Sequence, residues 1–281
     1  MLASDGTRDH IYLGGIDLCK TTGSKIKPHV PVPAVSSSFV DLTKPDLTID
    51  EIWGMDPSSP AIVSKQFDTG ITVAIMHRLK EKNELNDEII NFYFGMIIKR
   101  KEKVFAFNTY FMAKLLLDTG DYDYNSVSKW SKKLMLKPEI KLNPFELDKL
   151  FVPIHLPNHW TFIVVYFQKK VIHYYDSMHG EGKRCRDAML RWLEDEAGIR
   201  GITFDLTKWN TEDIKDCPSQ KHDVKECGVF TLMSAAYLSD DTPLSRDTFG
   251  LGDMPRFRRQ IGEEILRGSL DDPSVNDDQG T

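Results

Sequence analysis

The segment VPIHLPNHWTFIVVYFQKKVIHYYDS, residues 152–177, decides the fold. The runs 150–156, 159–167 and 171–175 are rich in β-branched and aromatic residues, which favour β-strands. The short interval after the second run indicates an antiparallel hairpin with the third. Because helical patterns lie before and after this strand cluster, the sequence predicts an α+β fold.

Apolar residues recur at helical spacing on both sides of the strands. Asn86 and Asp87 can cap a helix whose inward stripe includes Ile89, Tyr93 and Ile97. Further helices are predicted over 108–117, 183–197, 228–238 and 255–266, and a strand is predicted to contain Ile202, Phe204 and Leu206.

The chain divides into one domain and two polar ends. Residues 1–45 mix Gly, Pro and Ser without a sustained period, which predicts an extended or disordered arm. Residues 269–281 are acidic and almost free of large apolar side chains, which predicts a disordered tail. Nothing in 46–268 is typical of a linker, so we expect one domain of the 281-residue chain to lie there.

Composition excludes several function classes. No apolar run approaches the roughly 18 residues of a membrane span, so we expect no membrane insertion. The first residues lack the pattern of a secretory signal, and we expect an intracellular protein, nuclear or cytoplasmic. A net charge of -6 argues against nucleic acid as a partner, because proteins that bind phosphate backbones carry an excess of Lys and Arg.

The four cysteines are spaced unlike those of a metal site or a disulfide framework. Cys19, Cys185, Cys217 and Cys227 form no CxxC pair. Cys185 shares a helical stripe with apolar residues, so we interpret it as a core side chain. No metal or organic cofactor is expected, and we expect a monomer.

The hairpin predicts a candidate pair of catalytic side chains. If it turns around Phe167 and Gln168, paired positions sum to 335, and His159 lies opposite Asp176 with Cβ atoms roughly 5 Å apart. His159 would then be a general base and Asp176 the carboxylate that orients it. The alternative interpretation is a polar pair near a sheet edge. His155 and His173 are weaker candidates, because no carboxylate matches their register.

Cys227 stands directly before the apolar helix GVFTLMSAAYL. The positive end of a helix lowers the pKa of a thiol and favours the thiolate. Gly228 places no side chain in the way of that sulfur, and Gln220 is a neutral donor suited to a developing oxyanion. A cysteine at this position also occurs for structural reasons, and Cys217 fits a buried or solvent-facing role. The four residue types together match nucleophile, base, orienting group and oxyanion donor.

Residues 152–177 and CPSQKHDVKECGVF at 217–230 resemble the Ulp/SENP cysteine proteases, which process and remove SUMO and related ubiquitin-like modifiers. LNDEIINFY at 85–93, FNTYF at 107–111 and DMPRFRRQIGEEIL at 253–266 extend the match over roughly 65–268. The resemblance implies a papain-like cysteine protease fold. In that fold a short central mixed sheet is flanked by helices, and the nucleophile begins a central helix.

The resemblance also implies a role for each matching residue. Cys227 becomes the nucleophile, His159 the base, Asp176 its partner and Gln220 the oxyanion residue. Trp160 becomes the aromatic that covers the Gly-Gly tail of the modifier in a narrow tunnel. Asp87 corresponds to an acidic position on the surface that docks the modifier.

Three positions depart from the family pattern. Glu226 stands where an Asp usually precedes the nucleophile. Gln220 lies seven residues before Cys227, whereas six is usual. Glu84 replaces the aromatic that usually faces Trp160 across the tunnel, which puts affinity and the identity of the modifier in question.

The resulting hypothesis is a thiol isopeptidase that cuts after the C-terminal Gly of a ubiquitin-like modifier, SUMO being the first candidate. A second hypothesis keeps the fold but changes the modifier to ubiquitin or another relative. A third is a binding module that holds a modifier without cutting it, and a fourth is an acyltransferase on a related scaffold.

Overall fold

The structure is a computed structural model that describes residues 47–116, 120–131, 143–220 and 225–271. Its helices and strands alternate in the order expected of an α+β domain. The helices are α1 (Ile49–Gly54), α2 (Val73–Met76), α3 (Asp87–Arg100), α4 (Tyr110–Leu115), α5 (Lys183–Arg200), α6 (Cys227–Ser239) and α7 (Met254–Arg267). The strands are β1 (Ile62–Gln66), β2 (Thr69–Thr72), β3 (Val104–Ala106), β4 (Lys149–Leu156), β5 (His159–Tyr166), β6 (Val171–Tyr175) and β7 (Asn210–Ile214).

The central sheet has the order β3-β4-β5-β6-β7. Strands β4, β5 and β6 form the antiparallel centre, while β3 and β7 pair in parallel at its edges. The mixed sheet flanked by helices confirms the predicted fold class. Strands β1 and β2 form a separate antiparallel hairpin.

Side chains alternate along β5 and feed a core on each face of the sheet. Trp160, Phe162 and Val164 enter the core that contains helices α3, α6 and α7. Ile163 and Val165 enter the opposite core, which contains α4 and α5. Both faces are therefore covered, and for this reason the strands read as nearly continuous apolar runs.

Helix α6 is the central helix of the first core. Nearly all of its side chains are buried, which explains its apolar sequence on every face. At its C-terminal end, buried Lys149 donates from Nζ to the Leu238 carbonyl at 2.6 Å and to Asp241 at 2.6 Å. A cation at the C-terminal end of a helix complements the helix dipole. The positive end of the same dipole lies at Cys227.

Helix α5 is tied to the edge strand β7 and lies against β6. Arg186 forms hydrogen bonds with both carboxylate oxygens of Asp213, at 2.8 and 3.0 Å. Gly182, which precedes the helix, donates its backbone N–H to the same carboxylate. A Cβ atom at Gly182 would lie 2.2–2.4 Å from the ring atoms of Tyr174, so only glycine permits this approach.

Several sequence predictions are corrected. The strand expected to contain Ile202, Phe204 and Leu206 is wrong: Phe204 instead stacks on Trp209, and the strand is Asn210–Ile214. Within the described residues, strand β7 pairs with β6 along one edge and is exposed or half-buried. Its sequence therefore lacks the alternation of apolar and polar residues by which a strand is predicted.

The predicted helix boundaries also shift. Helix α5 continues past Gly198 to Arg200 and ends at Gly201, whose φ of 65° is the left-handed conformation of a helix C-cap. Asn108 is the predicted cap of α4, but the observed N-cap is Thr109, and the helix runs from Tyr110 to Leu115. The predicted end of that helix at 117 lies outside the described residues. The hairpin of β1 and β2 was not predicted, because its turn residues Phe67 and Asp68 form none of the usual turn dipeptides.

The predicted arm at 1–45 lies outside the described residues, as does the tail beyond Asp271. The remaining boundaries of the predicted domain stay a prediction. Within the part of the chain that the structure describes, no helix is long and apolar enough to cross a membrane.

Two glycine substitutions test the packing of α5. Gly182→Ala should lower the free energy of unfolding by about 1–3 kcal/mol, because the new methyl group overlaps the Tyr174 ring. Gly198→Ala on the same helix is the control: a Cβ atom at this position would have no neighbour within 4 Å. It should stabilise the protein by about 0.5–1 kcal/mol through helix propensity. Urea unfolding of both variants measures the difference, and equal effects would contradict the packing of Gly182 against Tyr174.

Candidate active site

Cys227 is the first residue of α6, and its side chain is 2% exposed. The start of α6 packs against Leu85, which lies just before α3. A Cβ atom at Gly228 would lie 2.9 Å from the Cβ atom of Leu85. Glycine at this position therefore allows the cleft wall to approach the start of α6.

His159 and Asp176 form a hydrogen bond of 2.7 Å between Nε2 and Oδ1. They are not directly opposite, because Phe162 pairs with Tyr175 and the positions sum to 337 rather than 335. The turn therefore lies one residue later than predicted. A shift of two in the sum preserves the face of each side chain, so the pair still meets along the diagonal.

Asp176 is fixed by backbone donors at the end of β6. The N–H groups of Met178 and Gly180 donate to its two carboxylate oxygens at 2.7 and 3.0 Å. Burial alone would raise the pKa of Asp176, but these bonds and the one with His159 hold that pKa below its usual range. The carboxylate is consequently ionised and held in one orientation.

The surroundings of His159 raise its pKa and so favour its protonated form. Burial by itself lowers the pKa of His159, but hydrogen bonds and charges from Asp176 and Cys227 more than offset this and raise the pKa to about 9. Nε2 of His159 is engaged by Asp176, whereas Nδ1 is buried and makes no hydrogen bond within the described residues, so Nδ1 is the ring nitrogen left for proton transfer. The imidazolium is therefore the stable form of His159 near neutral pH.

The other histidines and cysteines lack this environment. Burial lowers the pKa of His173, although the charge of Glu212, its partner across β6 and β7, opposes this shift. The ring of His173 lies near the hydroxyl of Tyr175. Burial raises the pKa of Cys217 to about 11, and its thiol donates to the Ile214 carbonyl. Burial also raises the pKa of Cys185, which packs against the second core as predicted.

Gln220 is completely buried. Its backbone N–H donates to the Ser177 carbonyl at 3.0 Å, which holds it beside the turn that follows Asp176. Neither polar atom of its side chain has a hydrogen-bond partner among the described residues. A buried amide without a partner is costly, so this side chain is suited to donate to a group that arrives with a substrate. Residues 221–224, between Gln220 and Cys227, lie outside the described residues.

A cleft of about 410 Å³ opens at Cys227. Cys227, Trp160, Glu84 and Asp87 all line it, so the predicted substrate-binding residues share one cavity with the predicted nucleophile. Glu84 is exposed, and none of the ion pairs in the described ranges includes it. The structure thus brings the candidate site residues to one place and leaves the Glu84 side of the cleft open.

Trp160 is locked in the cleft wall by its neighbours. Its indole N–H donates to the Leu85 carbonyl at 2.9 Å, and its ring stacks on His155 with centroids 4.2 Å apart. His155 is therefore a wall residue of the cleft rather than a rival base. This contact follows from the register of β4 and β5, which pairs His155 with Trp160.

Asp87 begins α3, where Asn86 caps the helix as predicted. It accepts a hydrogen bond from the hydroxyl of Tyr110, which is half exposed and lines the same cleft. This bond, followed by burial, raises the pKa of Tyr110 to about 12. Tyr110 was not predicted as a site residue, although it lies within the FNTYF motif.

The arrangement matches nucleophilic catalysis. A thiol at a helix N-terminus lies beside an imidazole that a buried carboxylate orients, and a buried amide is available to bind negative charge. Within the described ranges, no group of three or more His, Cys, Asp or Glu side chains is placed to hold a metal ion.

Comparison with known proteins agrees with this geometry. A model of the Ulp1 protease family, C-terminal catalytic domain, matches residues 83–270. The chain is 35% identical to Sentrin-specific protease 2 of Pongo abelii over 217 residues, which cover 74% of this chain and 34% of that protein. It is 30% identical to Ubiquitin-like-specific protease 1A of Arabidopsis thaliana over 247 residues, 84% of this chain and 48% of that protein.

A solved structure is also similar. The C-terminal Ulp1 protease domain, determined in complex with Smt3, the yeast ortholog of SUMO, superposes with a TM-score of 0.64 at 28% identity. The match covers 83% of this chain and 99% of that one. The chain thus spans a whole catalytic domain, but only about a third to a half of the length of the curated relatives it matches.

The charge on His159 predicts a pH dependence of stability. Its folded pKa of about 9 exceeds the ordinary value of 6.5, so the stabilisation is complete below pH 6.5 and is lost as pH rises through 9. Asp176→Asn removes a carboxylate that raises this pKa and should flatten the dependence between pH 6.5 and 9. His173→Gln should keep the wild-type profile. Thermal unfolding at several pH values tests this, and a wild-type profile in Asp176→Asn would contradict it.

Proposed function

Because the chain belongs to the Ulp1 protease family, we propose that it is a thiol protease and isopeptidase that cuts after the C-terminal Gly of a ubiquitin-like modifier. The observation that carries the proposal is the 2.7 Å bond between His159 and Asp176, on a histidine that also interacts with Cys227 at the base of a cleft. Such a constellation activates a thiol for attack on a carbonyl carbon.

SUMO is the modifier that the relatives favour. Their names describe sentrin-specific and ubiquitin-like-specific proteases, and the similar Ulp1 domain was solved with the yeast ortholog of SUMO. The cleft supports a substrate with a thin tail. Trp160 forms a flat, rigid wall beside Cys227, and a Gly-Gly tail fits against such a wall because it carries no side chains.

The reaction proceeds through a thioester in two steps. The Cys227 thiolate attacks the carbonyl carbon of the terminal Gly, and protonated His159 gives its proton to the departing amine as the amide C–N bond breaks. Water then attacks the thioester while neutral His159 takes a proton from it. The C–S bond of the resulting tetrahedral intermediate then breaks, which restores the Cys227 thiolate beside protonated His159. The modifier leaves as a carboxylic acid that loses its proton to solvent.

Asp176 and Gln220 support both steps without changing covalently. Asp176 fixes the ring of His159 and stabilises the imidazolium. The buried amide of Gln220 and the backbone N–H of Cys227 are proposed to hold the oxyanion of each tetrahedral intermediate.

Two alternatives follow from particular residues. Exposed Glu84 in place of an aromatic wall leaves room for ubiquitin or another relative as the modifier. The unusual spacing between Gln220 and Cys227 favours, as a second candidate, a module that binds a modifier without cutting it. A monomeric state and a nuclear or cytoplasmic location remain predictions of the sequence.

A panel of modifiers with C-terminal vinyl-type electrophiles tests the proposal. Wild-type protein should form an adduct at Cys227 with the SUMO probe, whereas Cys227→Ser should fold normally, form none and show no turnover. Cys185→Ser and Cys217→Ser should react as the wild type does, because burial keeps both thiols protonated. Adduct formation with ubiquitin alone would change the modifier. Normal turnover by Cys227→Ser would refute the assignment of the nucleophile.

The Glu84 side of the cleft gives a separate prediction. Glu84→Trp should raise kcat/KM toward a SUMO substrate, because an aromatic wall narrows the slot and excludes water from the oxyanion. Glu84→Ala should change kcat/KM little, since Glu84 is exposed and has no ion-pair partner in the described ranges. Steady-state assays at low and high salt compare the two variants. A loss in Glu84→Ala that vanishes at high salt would show that Glu84 binds a cation of the modifier instead.

A further inference from the structure

Arg258 is a fully buried cation on α7 whose donors are all used. The side chain is 1% exposed, and its Nε atom donates to the Glu226 carboxylate at 2.9 Å. The remaining four N–H groups donate to backbone carbonyls, those of Arg78, Lys80, Asn83 and Lys225, at 2.8–3.2 Å. A guanidinium has five donors, so none is left unsatisfied.

These acceptors belong to two different parts of the site. Lys225 and Glu226 immediately precede Cys227, and Glu226 occupies the N-cap position of α6. Residues 78–83 lead into Glu84 and Leu85, the wall of the cleft. That wall holds Trp160 through the Leu85 carbonyl and touches the start of α6 at Gly228.

We propose that Arg258 is a positioning residue that fixes the nucleophile relative to the wall that guides the modifier tail. The inference rests on the proposed function, but it assigns a task that the catalytic residues do not perform. One rigid group binds the chain just before Cys227 on one side and the cleft segment on the other. Hydrogen bonds to a single guanidinium therefore contribute to the distance from the sulfur to the slot, together with the contacts of Leu85 with Gly228 and Trp160.

The same contact keeps Glu226 compatible with a thiolate. A carboxylate beside the nucleophile would oppose the negative charge on sulfur, but the 2.9 Å ion pair with Arg258 neutralises it. A lysine in place of Arg258 would keep the charge. It has only three donors on one nitrogen, however, and cannot span acceptors on two segments. Arg258→Lys consequently removes hydrogen bonds that position the two segments, while it keeps the positive charge.

Two reactions of the same thiol test the proposal in the 281-residue chain. Iodoacetamide is small and needs no tail slot, whereas SUMO with a C-terminal vinyl-type electrophile must lie along the cleft wall. In Arg258→Lys, alkylation of Cys227 should stay within about threefold of wild type with an unchanged pH midpoint, because the thiolate is preserved. The rate with the SUMO probe should fall on the order of 10²-fold, as expected when reacting atoms are misplaced by about 1 Å.

The ratio of the two rates is the readout, because partial unfolding would not lower the probe rate selectively. Peptide mass spectrometry assigns alkylation to Cys227, and thermal unfolding reports the folded fraction. Arg259→Lys is the matched control: this neighbour is exposed, pairs with Asp50, and should keep the wild-type ratio. Glu226→Gln is the second variant, which retains an acceptor for Nε and should lower the ratio by about fivefold to tenfold through the weaker neutral bond.

The outcomes separate the two proposals. A wild-type ratio in folded Arg258→Lys, or in Glu226→Gln if the lysine variant does not fold, would overturn the positioning role. A shifted alkylation midpoint with an unchanged ratio would overturn it too, since Arg258 would then act on the thiolate charge alone. Wild-type protein that reacts with iodoacetamide but with no modifier probe would overturn the proposed function, and with it this inference.

Discussion

The packing of helix α6 against strand β5 is the contact on which the site depends. Helix α6 delivers Cys227 at its N-terminal end, and β5 delivers His159 at its first residue. Both elements are buried on all sides by apolar side chains, so their relative position is fixed by close packing rather than by the polar groups themselves. The chemistry occurs where two rigid core elements end.

The charged groups around the junction of α6 and β5 each have a partner of opposite charge or a helix end. Buried Lys149 complements the C-terminal end of α6, and the positive end of the helix lies at Cys227. Asp176 holds its negative charge through backbone N–H groups and in turn supports a positive His159. Each of these three charged groups has a partner, as low-polarity surroundings require.

The substrate cleft is built by a third region, the segment before α3. Its contacts with Trp160, with Gly228 and with Arg258 tie it to β5, α6 and α7. Under the proposed function, a thin tail must reach the sulfur within a fraction of an ångström, so the position of the wall matters as much as that of Cys227. Glu84 then leaves one side of the cleft open, while the contacts of the segment before α3 hold the rest of the wall in place.

The sequence by itself determined the α+β class, the strands 149–175 and the candidate residues His159, Asp176, Gln220 and Cys227. These features rest on local patterns, such as strand composition, helix caps and a cysteine before an apolar helix. Only the tertiary structure decided the register of β5 and β6, which depends on how the turn after Tyr166 closes. It also decided the strand Asn210–Ile214, the contact of Gly228 with Leu85 and the five bonds of Arg258. Such contacts join residues far apart in the chain, and no local pattern encodes the distance between them.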